Sequence, residues 1–250
     1  MSAFDPDSSS PVRPATPGQS PPPERQVREM FDVIVDRYDL LNDLLSFGLD
    51  RWWRRAAARS VPSRPGPGGR VLDLGCGTGK LGALLADRLR VVGIDVSHAM
   101  LAAGRREVRR RGGTTMSVQG SAFHLPFRDG TFDSAVSAFL LRNLDDLPGA
   151  FSELHRVLMP GATIALVDIT EPPGRLVRAA FDAYLSTAAP ALGGLVGRRE
   201  PYRYLVRSLR HLPEAPALCR QLGEAGFIDC RARRLTGGTA TLFTATKRDG

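Results

Sequence analysis

The sequence predicts a doubly wound α/β domain, a mostly parallel sheet with helices on both faces. Three observations predict it. Short apolar runs alternate with helical patterns from Arg70 onward, the first run turns through the glycine-rich stretch Val71-Leu72-Asp73-Leu74-Gly75-Cys76-Gly77-Thr78-Gly79, and the next run ends on an acid, Asp95. With 250 residues, 42% of them apolar, the chain suits one large domain better than two small ones.

In order along the chain, Met1 to Glu24 is crowded with Pro and Ser and has almost nothing to bury, so residues 1–24 read as a disordered tail ahead of a domain at 25–250. Gln26 to Val61 has apolar residues at helical spacing (Met30, Ile34, Leu41, Leu44) and ends in Trp52-Trp53, giving an N-terminal helical cap over 25–61. Pro62 to Gly69 reads as a linker. Then come a strand at Arg70 to Leu74, a helix at Lys80 to Arg88, a strand at Val91 to Asp95, a helix at Ser97 to Arg111 and a strand at Thr115 to Gln119. The pattern continues with a strand at Phe132 to Ser137, a helix at Leu147 to Leu158, a stop at Met159-Pro160-Gly161 and a strand at Thr163 to Asp168. An insertion at Glu171 to Leu212 is expected to cover the substrate side. A helix at Pro213 to Ala225, closed by Gly226, and strands at Phe227 to Leu235 and Thr241 to Lys247 complete the domain.

Composition narrows the function. The longest apolar stretches, such as Ala162 to Val167, fall far short of the roughly 20 residues that span a bilayer, and the N-terminus lacks a signal pattern. Cys76, Cys219 and Cys230 are widely separated, which suggests neither a metal nor a redox pair and fits a reducing cytoplasm. The net charge of +8 comes almost wholly from arginine, Lys80 and Lys247 being the only lysines. Acids are interspersed and no aromatic-basic pattern occurs, so a solvated basic surface is favoured over nucleic-acid binding.

The glycine-rich turn lies where ligands bind, at the carboxyl edge of a parallel sheet. A dinucleotide fingerprint would need a third glycine where Lys80 stands. The turn instead resembles the D/E-x-G-x-G-x-G of Rossmann-like class I S-adenosyl-L-methionine (SAM)-dependent methyltransferases, in which Asp73 would meet the charged amino end of the cofactor. Asp95, followed by Val96, stands about 20 residues beyond the turn, where an acid takes ribose hydroxyls. Alone, the turn could be a structural loop and Asp95 a helix cap; their order and spacing favour cofactor binding. Gly120-Ser121-Ala122 adds a third loop on the same edge, suited to adenine.

Several further segments occur in order: Phe31-Asp32, Tyr38-Asp39, Asn42, Leu45-Ser46-Phe47-Gly48, Arg51-Trp52-Trp53, Leu141-Arg142-Asn143-Leu144, Tyr202-Arg203-Tyr204-Leu205, Ser208 and Leu235-Thr236-Gly237-Gly238. Together, from about Val27 to Lys247, they resemble the UbiE/MenG family of ubiquinone/menaquinone biosynthesis C-methyltransferases. The resemblance implies SAM as cofactor, methylation of a ring carbon on a prenylated quinol such as demethylmenaquinol, and SAM contacts at Thr78, Asp95, Ser121 and Ala122, which join the cofactor-binding candidates Asp73, Gly75, Gly77 and Gly79 of the turn and Val96. Ala138-Phe139-Leu140 departs from the family's Ser-Phe-Gly, so Ala138 loses a serine contact and Leu140 is bulkier. Lys80 for Asp, Asp50 for His and Thr241-Leu242-Phe243 for Ala-Leu-His are further departures, which bear on the substrate more than on the cofactor.

Methyl transfer to a ring carbon needs a neighbouring hydroxyl to ionise, hence a base, a bound water or a positive group at the phenolate. Arg142 is the candidate electrostatic anchor, Asn143 the orienting group and Tyr38 the closing group from the cap. Each could instead be a salt bridge, cap or packing residue. His98, His155 and His211 read as structural, whereas His124 lies near the adenine loop. No metal site is expected. A methyltransferase for another phenolic or lipid molecule, or a catalytically silent SAM-binding protein, are the competing readings; the intact Asp73, glycine turn and Asp95 argue against the latter. An RNA methyltransferase is a further reading from charge alone, but no N/D-P-P-Y/F-type catalytic motif follows the fourth strand. Peripheral contact with the inner face of a membrane and a homodimer are compatible with the reading.

Overall fold

The computed structural model describes residues 22–62, 69–110, 116–195, 208 and 211–249. Most of the expected tail (1–21), part of the linker (63–68) and part of the insertion (196–207) lie outside them.

Seven strands form one sheet: β1 (Arg70–Leu74), β2 (Arg90–Asp95), β3 (Met116–Gln119), β4 (Phe132–Ala138), β5 (Leu158–Ile169), β6 (Phe227–Leu235) and β7 (Ala240–Lys247). Their order is β3-β2-β1-β4-β5-β7-β6. β7 alone runs opposite to the other six strands, as expected of a mostly parallel sheet. Alternate residues feed opposite faces. Leu72, Leu74, Ile164, Leu166 and Phe243 pack with Phe151 and Leu154 of α4 (Leu147–Val157) and Leu218 and Leu222 of α6 (Ala215–Glu224). Val71, Val136, Val167 and Leu242 pack with Trp53, Ala57 and Ala58 of α2 (Leu49–Ser60). A sheet covered on both faces needs near-continuous apolar strands, and these have them. α1 (Glu24–Leu45) and α3 (His98–Arg110) lie toward the β2 and β3 side and touch each other, and α5 (Arg175–Leu195) also meets α1.

Four expectations need correction. The helix at Lys80 to Arg88 is only a short 3-10 turn, Gly82–Leu84, set among turns. Backbone bonds there mix three- and four-residue spans, Leu84 N to Leu81 O and Leu85 N to Gly82 O beside Ala83 N to Gly79 O and Leu89 N to Leu85 O, so no continuous α-helical ladder forms. β5 does not begin after Met159-Pro160-Gly161 but runs through it, since a bulge between the pairs Phe132–Leu158 and Ser134–Thr163 takes up the extra residues with Gly161 at φ +71°. Glu24, placed in the tail, starts α1. Cys219 on α6 and Cys230 on β6, read as unrelated, form a disulfide with a Cα separation of 5.6 Å, because the turn at Gly226 folds one element onto the other.

Candidate active site

The sheet order reverses beside β1, whose neighbours are β2 and β4, and the crevice at such a point is where this class of sheet binds ligands. Gly75, Gly77 and Gly79, at φ +65°, +53° and +78°, turn the chain there; the left-handed backbone is costly for residues with a β-carbon. Asp95 ties the turn to the end of β2, accepting from Gly77 N at 2.8 Å and from Ser97 N at 2.9 Å. Burial pushes its carboxyl above the usual range, against the pull of those N–H groups.

A cleft opens here. Gly75, Gly77, Asp95, Val96, Ala122 and Ala138 line it, as do Tyr38 and Asn143. α1 roofs it with Glu24, Val27, Phe31 and Tyr38. Three α1 carboxylates each meet a hydroxyl on the strand edge: Ser121 Oγ donates to Glu24 at 2.6 Å, Ser97 Oγ to Asp32 at 2.6 Å and Thr78 Oγ1 to Asp39 at 3.0 Å. Lys80 pairs with Asp39 at 3.3 Å and Asp43 at 3.5 Å, so this departure from the family pattern helps to hold the roof.

Five expected site residues do not line the cleft. Asp73 lies behind the turn, fully buried, with Oδ2 on Gly82 N, so it braces the loop rather than facing a cofactor amine; burial pushes its pKa up to about 7. Thr78 and Ser121 turn their hydroxyls to Asp39 and Glu24. Gly79 closes the turn through its N–H to Cys76 O at 2.8 Å. Arg142, expected as an anchor facing the acceptor, is 2% exposed and its guanidinium donates to Asp168, itself fully buried at the end of β5. The pair ties the loop after β4 to β5, the structural arrangement weighed against catalysis. His124 forms an isolated bridge with Ser121 and is not in the lining.

Against the Phe139 ring lies a second buried ion pair, Arg54 Nη1 to Asp50 Oδ2 at 3.3 Å, with Ser46 Oγ donating to Asp50 Oδ1 at 3.1 Å. Burial raises the Tyr38 phenol above its usual pKa, opposed by the nearby charges of Arg142 and Arg54. Sequence reading missed Glu24, Phe31, Met100, Phe139 and Leu140 in the lining. Leu140 reaches under the glycine turn, its Cδ1 2.7 Å from where a β-carbon on Gly75 would stand.

The chain matches the ubiE/COQ5 methyltransferase family over residues 21–247. It is 36% identical to the ubiquinone/menaquinone biosynthesis C-methyltransferase UbiE of Coxiella burnetii, over 89% of this chain and 91% of that one. It is 40% identical to the demethylmenaquinone methyltransferase of Beutenbergia cavernae, over 88% and 90% of the two chains. Among solved structures it resembles a SAM-dependent methyltransferase from Aquifex aeolicus, with a TM-score of 0.59, 18% identity and coverage of 86% and 97%, a likeness of fold. The sheet order, the glycine turn closed by Asp95 and these matches agree: the chain is a SAM-dependent methyltransferase and belongs to the ubiE/COQ5 methyltransferase family.

Proposed function

We propose that the chain methylates a ring carbon of a prenylated quinol, with demethylmenaquinol as its acceptor. The observation that carries this is a single roofed cleft. Asp95, Val96 and Ala122 line it on the β2 and β3 side, and Tyr38, Phe139 and Asn143 on the β4 side. The names of the relatives, which specify ubiquinone, menaquinone and demethylmenaquinone, support the acceptor class.

The residues fit SAM. The Asp95 carboxylate suits ribose hydroxyls, Val96, Met100 and Phe123 give a purine an apolar slot, and Gly77, with nothing within 4 Å of where a β-carbon would stand, leaves backbone open toward the amino-acid end. SAM, when bound, supplies a sulfonium methyl that is already activated, so positioning provides much of the rate. Tyr38, its phenol raised by burial, stays protonated at neutral pH and acts as a donor to the quinolate oxygen, not as a base. Asn143, fixed by Nδ2 donating to Phe139 O at 3.0 Å, orients the acceptor hydroxyl. Arg142 acts from behind the wall: its charge, held by Asp168, biases Tyr38 and fixes the loop.

No helix among the described residues is long and apolar enough to cross a membrane. A bilayer-borne acceptor still calls for contact with its surface. α5 exposes Leu176 and Val177 beside Arg175, and exposed Phe47 rests on its Tyr184 with ring centroids 4.8 Å apart. Arg198 and Arg199, in the same insertion, lie outside the described residues. Salt-sensitive sedimentation with anionic liposomes is expected; equal recovery in the supernatant with and without lipid contradicts it. For the reaction, mass analysis of the quinone pool of a deletion strain should show accumulated demethylmenaquinone, and an unaltered pool overturns the reading.

A further inference from the structure

Of the four non-glycine residues with left-handed backbone among the described residues, Phe47, Phe139, Asp229 and Thr236, only Phe139 lines the cleft. At φ +66° its β-carbon crowds the adjoining carbonyl, and a phenyl ring has no local hydrogen bond to offset that. Such conformations persist where the surroundings impose them, and they cluster at functional sites. Here the surroundings are specific. The guanidinium of Arg54 lies over the Phe139 ring at 4.8 Å from its centroid, that of Arg142 at 5.7 Å, and Trp53 meets the ring edge-on at 6.1 Å. The Phe139 N–H donates to Val167 O at 2.8 Å and its carbonyl accepts from Asn143 Nδ2 at 3.0 Å. Each guanidinium is in turn fixed by an acid, Arg54 by Asp50 and Arg142 by Asp168. Two buried ion pairs thus converge on one aromatic ring directly after Ala138.

We propose that Phe139 is the specificity-determining wall for the acceptor's aromatic ring and that Arg54 is a positioning residue acting through it. The inference rests on the functional reading above. An aromatic ring is electronegative on its face and electropositive at its edge. With guanidiniums over its face, Phe139 offers a neighbour its hydrogen-bearing edge. The electron-rich face of a quinolate meets that edge favourably, and the attraction grows as the hydroxyl ionises. Phe139 is 4% exposed and follows β4 directly among the residues that line the cleft, so it is a closely packed part of the wall.

Two replacements test the wall. Phe139→Gly relieves the backbone while removing the ring; Phe139→Leu keeps apolar bulk without an aromatic edge. Kinetics with demethylmenaquinol at saturating SAM, calorimetry with SAM and a melting curve are read together. Both variants should raise KM for the quinol about tenfold, the scale of one lost aromatic pair, with SAM affinity held within about twofold. Parental KM in folded Phe139→Leu overturns the proposal, as does an equal loss of SAM and quinol affinity. For Arg54, Arg54→Gln should raise the quinol KM and Arg54→Lys should recover part of it; the same KM as the parent in both removes Arg54 from the role. A parent enzyme that methylates no quinol overturns the functional reading itself, a different result from any of these.

Discussion

The N–H of Gly77 donates to Asp95 Oδ2 at 2.8 Å, so the glycine turn after β1 and the acid ending β2 are one mechanical unit. Asp95→Ala removes both a ribose acceptor and the tie that shapes the turn. SAM binding should weaken by about 1–3 kcal/mol, the range for leaving polar groups without a partner. Calorimetry checks this, and unchanged affinity in a folded variant would take Asp95 out of the site.

Arg142 and Asp168 form a buried ion pair, and breaking such a pair from one side leaves an uncompensated charge. Arg142→Ala should therefore lower folding stability by roughly 3–5 kcal/mol, and adding Asp168→Asn should return part of it. Denaturant titration of the two variants is the measurement. Parental stability in Arg142→Ala would show that the pair does not hold the loop.

Asp73 gives a pH signature. Its folded pKa of about 7 lies above the model-peptide value of 3.8, so between these limits the native state holds a proton that the unfolded chain has released. The Asp73 contribution thus makes stability fall as pH rises from about 4 to 7. Asp73→Asn keeps an acceptor for Gly82 N and should flatten that fall. Parallel curves of stability against pH for parent and variant would refute the assignment.

Closure by α1 is spread over three carboxylate–hydroxyl contacts at Glu24, Asp32 and Asp39. A hydrogen bond contributes about 0.5–1.5 kcal/mol net, and an amide in place of the carboxylate still accepts from the hydroxyl. Each single amide replacement should leave SAM release nearly unchanged, whereas Glu24→Gln, Asp32→Asn and Asp39→Asn combined should speed it. Stopped-flow displacement decides this, and parental release from the triple variant argues against α1 as the gate.

The strands were legible because a sheet buried on both faces needs apolar runs, which Arg70 to Leu74 and Thr163 to Asp168 display. Asp95 was legible because strand and turn fix its place. Long-range partners left no local mark. Nothing near Arg142 announces Asp168, nothing near Asp73 announces Gly82, and nothing in a proline-rich N-terminus announces that Glu24 will reach Ser121. The false helix at Lys80 to Arg88 shows the same limit, since its apolar spacing serves packing of Leu81, Leu85 and Leu89 in a series of turns. Cys219 and Cys230 meet because α6 folds back on β6, a tertiary fact absent from their spacing.

The most direct test of the account is a methyl-transfer assay with purified protein, labelled SAM and demethylmenaquinol in detergent or vesicles, read by mass spectrometry of the quinone. Label should appear on a ring carbon, with one S-adenosylhomocysteine formed per methyl transferred. Label on oxygen, or SAM left unconsumed by a folded, SAM-binding protein in the presence of the quinol, would contradict it.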